Sequence, residues 1–416
     1  MRAAAASSLA TLAALLALAW PGSKVAGQSG TAVSSSRSAA AAVLRVSPGA
    51  AELKGHPALV GRIRETPRAY FRFVSRPFTQ AVCAQFRGAG VGFPDVNLHG
   101  DAHLEQYAVT SLGRGLTDFD ESARGPNFID LVRFGVSLEL AAHEKHWPGE
   151  GRRAFGAFLG GYRDALKNPD INSPVPPVVT RTRATFARDH RLAIRRADAI
   201  IDAEPVAAFE IEAGLQNYVA EMLADDAGTP AGFFNIKKAG RNTLGIGSAL
   251  DEKYLFRIEG SSKDADDDQI LEAKLIRPLA NVACLRSEGP ERVPLGMALI
   301  ADAPFPFSGL LASRGRTFWV HGWTDDYMEL SIDSWFASPQ DMRQIAYDVG
   351  TQLGRAHPKE RAGTDHRPGL RGILLQATCK NTARIRKTID DLAEATVAAW
   401  MAFREATASQ PRSKDD

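Results

Sequence analysis

At 416 residues, with 44% hydrophobic and 24% charged side chains, the chain can bury one large core or two smaller ones, which excludes disorder for most of its length. Fifty Lys and Arg against 48 Asp and Glu leave a net charge of +2, so composition gives no support for nucleic-acid binding. Cys83, Cys284 and Cys379 are too few for a thiolate metal site, and they neither demand nor forbid one disulfide.

In chain order, the first residues read as an export signal. Arg2 supplies the positive start, Leu9 to Trp20 an Ala/Leu-rich apolar run, and Val25-Ala-Gly27 a small-residue cleavage site. The run is short for a membrane span and no cysteine follows it to take a lipid. An exported, periplasmic or extracellular protein without a stable membrane anchor is therefore expected. Residues 1–27 are assigned to the signal, and 28–50, rich in Ser, Ala and Gly, to a disordered linker.

Between Tyr70 and Phe86 the aromatics and Arg72 suggest an irregular helix or strand. Three acidic clusters follow: His99-Gly-Asp101-Ala-His103-Leu-Glu-Gln106, then Thr117-Asp118-Phe-Asp120-Glu121, then Gly125-Pro-Asn-Phe-Ile-Asp130-Leu-Val-Arg133. Each comes after apolar residues, as when strand ends bring carboxylates together, and gathered carboxylates suit a hard cation. Asp101, in a Gly-containing turn between His99 and His103, is placed to act as a general base toward a hydroxyl.

Leu131, Phe134, Leu138 and Ala142, then Phe155, Phe158, Tyr162 and Leu166, recur at helical spacing. A Pro-rich break at Ser173 to Pro177 precedes a basic helix-like stretch, Arg181 to Arg196, whose charges read as a solvated face. Ile211, Leu215, Tyr218 and Met222 mark another helix. The pattern then turns to strands at Thr243–Ser248, Tyr254–Ile258, Ile270–Ile276 and Arg316–His321, with a helix at Glu291–Ile300 between the last two. His321, Asp325 and Asp326 are expected to face solvent. Helices return with Met342, Ile345, Val349 and Leu353, and close the chain from Ile385 to Phe403.

Gly245-Ile-Gly247-Ser248 would let backbone amides approach phosphate oxygens, and Lys274 on a neighbouring strand would reach the same phosphates. A Ser-His-Asp hydrolase is unsupported, because no Gly-x-Ser-x-Gly elbow follows a strand.

The three acidic clusters resemble the bacterial proteins catalogued as domain of unknown function 2252, over a span from about Arg68 to the last helix. They also resemble the catalytic and metal-binding loops of aminoglycoside phosphotransferases and other kinase-like enzymes. That resemblance implies an α+β, two-lobed protein-kinase-like fold that binds ATP and magnesium and phosphorylates a small hydroxylated molecule. Asp101 would be the base, flanked by His99 and His103. Asp118 and Asp120 would be magnesium ligands together with Gln106, which stands where the family has Asn. Asp130 and Arg133 would support the catalytic turn, and Gly245, Gly247, Ser248 and Lys274 would hold the nucleotide.

Because the nucleotide elements come after the catalytic ones, the resemblance implies a circularly permuted chain. Residues 51–227 would form a helical catalytic lobe, 228–335 a small antiparallel β lobe, and 336–416 helices completing the first lobe. Tyr347 to His357 would be the helix that ordinarily precedes the catalytic loop. ATP is scarce outside the cytoplasm, so either the donor differs, the signal reading is wrong, or the fold has been turned to binding. Two alternatives stand beside the phosphotransferase: an exported, non-catalytic kinase-like binding protein, and a phosphoesterase whose metals are held by His99, Asp101, His103 and Asp118. The sequence leaves the oligomeric state open.

Overall fold

The computed structural model describes residues 40–408 apart from 88–91, 208, 227, 244, 245, 247–249, 280, 281, 287, 288 and 361–368. The expected signal peptide and the glycine motif residues Gly245, Gly247 and Ser248 lie outside the described residues. The fold is α+β, built of many helices and small antiparallel sheets.

Helix α1 (Pro57–Glu65) comes first, and where the sequence suggests an irregular helix or strand two short helices form, α2 (Pro67–Phe73) and α3 (Ser75–Phe86). Proline opens α1 and α2, where its missing N–H costs nothing, and the Thr66 hydroxyl caps α2 by accepting from the Ala69 N–H at 3.1 Å. Two small ladders follow. Strand β1 (Asp95–Leu98) pairs antiparallel with β4 (Ala123–Pro126), and β2 (Tyr107–Thr110) with β3 (Arg114–Leu116). These ladders fix the ends from which the acidic turns project.

The helical spacings are met by α4 (Phe128–Glu144) and α5 (Glu150–Lys167). The basic stretch is not one helix. It divides into α6 (Pro177–Arg183) and α7 (His190–Ala203), because Asp189 starts a new helix by capping the Leu192 N–H at 3.0 Å. Helix α8 (Phe209–Asp225) precedes a five-stranded antiparallel sheet of order β5-β6-β7-β9-β8. Its strands are β5 (Ile236–Arg241), β6 (Lys253–Ile258), β7 (Gln269–Leu275), β8 (Gly309–Ser313) and β9 (Arg316–Gly322), with α9 (Arg292–Ile300) between β7 and β8. Strand β10 (Tyr327–Glu329) pairs with β2, a short helix α10 (Ile332–Trp335) follows, and α11 (Pro339–Ala356), α12 (Leu370–Lys380) and α13 (Thr382–Ala406) end the described chain.

The largest hydrophobic cluster joins α1–α5, α11 and α13, and includes Phe134, Phe158, Val349 and Ile389. A second cluster lies between α8 and the five-stranded sheet around Tyr218, Phe256 and Phe318. Helices α5 and α11 approach closely at Gly350, where a Cβ would stand 2.0 Å from the Phe158 carbonyl oxygen, so only glycine allows this crossing.

One acid in this packing makes stability pH-dependent. Burial, and then the charge of Asp390, raises the Glu139 carboxyl to about 7. A folded-state value above the unfolded one favours the protonated form, so this contribution is intact below about pH 4.5 and is lost as pH rises through 7. Glu139→Gln should therefore stabilise the protein at pH 8 by roughly 1–3 kcal/mol and bring no gain at pH 4.5, as chemical denaturation would read. An equal change at both pH values contradicts this.

Candidate active site

The His99-Gly100-Asp101 turn leaves β1 with its shape imposed from inside. The backbone N–H groups of His99 and Gly100 donate to the two carboxylate oxygens of the fully buried Asp130, on α4, at 2.8 and 2.9 Å. His357, at the end of α11, stands with Nε2 3.2 Å from the same carboxylate and Nδ1 2.9 Å from the Tyr162 hydroxyl. Gly100 has φ +83°, and a Cβ there would lie 1.9 Å from the Glu121 carbonyl oxygen, so the turn is seated on the second acidic cluster.

His99 spends both ring nitrogens on backbone. Nε2 lies 2.8 Å from the Thr117 carbonyl, which can only accept, and Nδ1 accepts from the Asp101 N–H at 3.3 Å. It fixes the turn and presents no free nitrogen. Asp101 Oδ1 accepts from Arg133 Nε and, at 3.0 Å, from the Ser75 hydroxyl. The guanidinium of Arg133 is buried 4.1 Å from the centroid of the Phe71 ring. Asp101 Oδ2 lies 3.7 Å from His103 Nε2, a buried nitrogen with no hydrogen-bond partner among the described residues. Burial, reinforced by the charges of Arg72 and Arg133, lowers the His103 pKa well below its ordinary value and keeps the ring uncharged.

Asp118 follows β3 with φ +62°, a left-handed conformation that Asp adopts more readily than most residues. Its Oδ2 accepts from the Gln106 side-chain N–H at 3.0 Å, and Thr117 ties the loop to the Gln106 carbonyl at 2.8 Å. Lys274, on β7, ion-pairs with Asp118 Oδ1 and, at 2.8 Å, with Asp120 Oδ2. Burial alone would lower the lysine, but the two carboxylates outweigh it and hold Lys274 well above its usual range. Burial alone would likewise raise Asp118, yet the Lys274 ammonium holds it well below the carboxylate range. Asp120 is pushed up by burial and then by the Asp118 charge. The acid loop is braced by Arg292, which donates to the Asp120 carbonyl at 2.7 Å, and by Arg76, which pairs with Glu121 at 3.0 Å.

Asp101, His103, Gln106, Asp118, Asp120 and Lys274 all line one cavity of about 480 Å³. Ile246, between the two glycines of the β5–β6 connection, lines it too. Asp130 and Arg133 lie behind it as supports. His321 departs from expectation: instead of facing solvent it is buried and lines the cavity, because β9 is an inner strand whose alternate residues Trp319 and His321 point inward. Asp326 is also buried, accepting from the Arg188 N–H at 3.2 Å. Ser75, Arg76 and Arg292 carried no local sequence signal, since each reaches the acids only through the tertiary fold.

Among the described residues, no group of three or more His, Cys, Asp or Glu side chains is arranged to hold a metal. The resemblance implies magnesium, and the donors present fit that hard ion: two carboxylates converge on one positive charge. Magnesium needs no more than this from protein when phosphates and water complete its shell. No helix among the described residues is long and apolar enough to cross a membrane.

The model of a family described as "Uncharacterized protein conserved in bacteria (DUF2252)" matches residues 57–174 and 177–406, so the chain belongs to that family. No curated protein and no solved structure matches it.

Proposed function

We propose that this DUF2252 protein is a kinase-like phosphotransferase, passing a phosphoryl group from a nucleotide to a hydroxyl of a small molecule. The observation that carries the reading is the meeting of Lys274 with Asp118 and Asp120, from chain segments more than 150 residues apart, in the cavity that also holds Asp101. A lysine on the third strand of an antiparallel sheet, with a loop aspartate beside it to hold magnesium, is the arrangement by which kinases handle phosphates.

Three features support a permuted kinase-like chain. The glycine-bearing connection joins the first two strands of the sheet, a helix follows the third strand, and α11 ends at His357 beside the Asp101 turn. On this reading residues 51–227 and 336–416 form one lobe and 228–335 the other. One departure is that α9 carries no acid, so Lys274 finds its partners in Asp118 and Asp120 rather than in a helix glutamate.

In the proposed reaction Asp101 orients the acceptor hydroxyl and takes its proton as the oxygen bonds to phosphorus, while the bond to the bridging oxygen breaks and nucleoside diphosphate leaves. Lys274 transfers its charge from the acids to the phosphate oxygens. Asp118 and Asp120 would hold magnesium, which when bound offsets phosphate charge, and Gln106 would steady Asp118. Among His99, Asp101, His103 and Asp118, the phosphoesterase set, His99 has no nitrogen left for a metal.

The cavity is also compatible with binding without turnover, and Gln106 donating into Asp118 where a second metal ligand is expected favours that alternative. Export is part of the proposal, and the disulfide between Cys83 and Cys284 supports it, since such bonds persist in oxidising compartments. The test is incubation with nucleoside triphosphates, magnesium and a panel of hydroxylated small molecules. Phosphorylated acceptor and nucleoside diphosphate in equal amounts are expected. Phosphate release from simple phosphoesters, with zinc or manganese retained through purification, would contradict the reading.

A further inference from the structure

The wall of the cavity beyond Lys274 has a chemistry that phosphate transfer does not use. Glu272 lies two residues before Lys274 on β7, on the same face, roughly 7 Å along the strand. Its Oε1 accepts from Asn242 Nδ2 at 2.8 Å and its Oε2 from Trp323 Nε1 at 3.1 Å. A carboxylate has about four acceptor positions, and these two donors take two of them.

Beside it is an aromatic stack. The His321 and Phe305 rings lie 4.7 Å apart, 21° from parallel, and the Trp319 ring is 4.3 Å from His321. All of these side chains line the cavity. His321 Nε2 stands 3.6 Å from Glu272, and burial lowers the imidazole's pKa; Lys253 on β6, buried in the same cavity, is lowered by burial and then by the charge of Lys274, with Glu272 acting against both.

An acceptor-only group set against aromatic faces selects a flat ring whose edge carries adjacent N–H donors. Guanine offers two, N1–H and the 2-amino group. Adenine turns the lone pair of N1 toward the carboxylate and is repelled. We propose that the nucleotide of this site is a guanine nucleotide, its base edge held by Glu272 against the His321–Phe305–Trp319 stack and its phosphates reaching Lys274. The assignment rests on the nucleotide reading given above.

Calorimetric titration of the protein with GDP, IDP and ADP in magnesium tests it. GDP should bind at least about tenfold more tightly than ADP, with IDP, which lacks the 2-amino group, between them. Glu272→Gln, which replaces one acceptor oxygen by a donor, should bring GDP and ADP to within about threefold of each other by weakening GDP alone. ADP binding as tightly as GDP, or Glu272→Gln weakening both alike, overturns the guanine assignment and leaves phosphotransfer standing. Failure of all three to bind overturns the nucleotide reading as well.

Discussion

Asp101→Asn is expected to slow phosphoryl transfer roughly 10² to 10⁴-fold, while nucleotide affinity stays within about twofold of wild type. The substitution keeps the shape of the side chain, so its oxygen can still accept from Arg133 and Ser75, but it cannot take a proton. Arg133 loses a counter-charge in a buried place and keeps its packing on Phe71 and Phe78, so some stability is lost. Thermal unfolding of the variant separates that loss from the kinetic one. Transfer persisting at more than about a tenth of the wild-type rate in a folded Asn variant would mean that the acceptor proton goes elsewhere.

Opening the disulfide should have the largest effect on stability. Cys83 on α3 is bonded to Cys284 across 201 residues of sequence, in the segment whose Arg286 N–H donates to the Arg124 carbonyl of β4 at 2.8 Å. A cross-link closing so long a loop removes much of the unfolded chain's freedom, worth about 3–5 kcal/mol. The double variant Cys83→Ala, Cys284→Ala should lose that amount in denaturant unfolding. Reductant should shift wild type toward the variant and leave the variant unchanged. Because α3 also carries Ser75 and Arg76, which hold Asp101 and Glu121, loosening it should slow transfer as well. A variant as stable as the wild type would contradict this account of the bond.

The acids were legible in the sequence because each cluster is local. A His-Gly-Asp turn after apolar residues, and an aspartate pair following the apolar end of a strand, spell out their own backbone geometry. Helices α4 and α5 were equally legible, since a 3.6-residue apolar period needs no partner to be seen. Strand β5 was not, because Ile236-Lys-Lys-Ala-Gly-Arg241 lacks alternation and β-branched content, and its pairing with β6 overrides weak propensity. Strand β8 is short and lies at the sheet edge, and α12 is a short helix of weak amphipathic pattern.

The site's wiring was the least visible part. The contact of His357 with Asp130 spans 227 positions and that of Lys274 with Asp118 spans 156, distances over which no local pattern carries information. The inward face of His321 is not visible from the acidic loop that follows it, where Asp325 and Asp326 stand. The strand before it, Thr317, Trp319 and His321 in alternation, held the signal for an inward face.

The central claim is that the early acids and the late lysine act as one phosphate site. The most direct test is the magnesium dependence of nucleotide affinity in wild type and Asp118→Ala, titrated side by side. The account predicts that magnesium tightens binding to wild type by about tenfold or more and does nothing for the variant. An equal magnesium response in both proteins would contradict it.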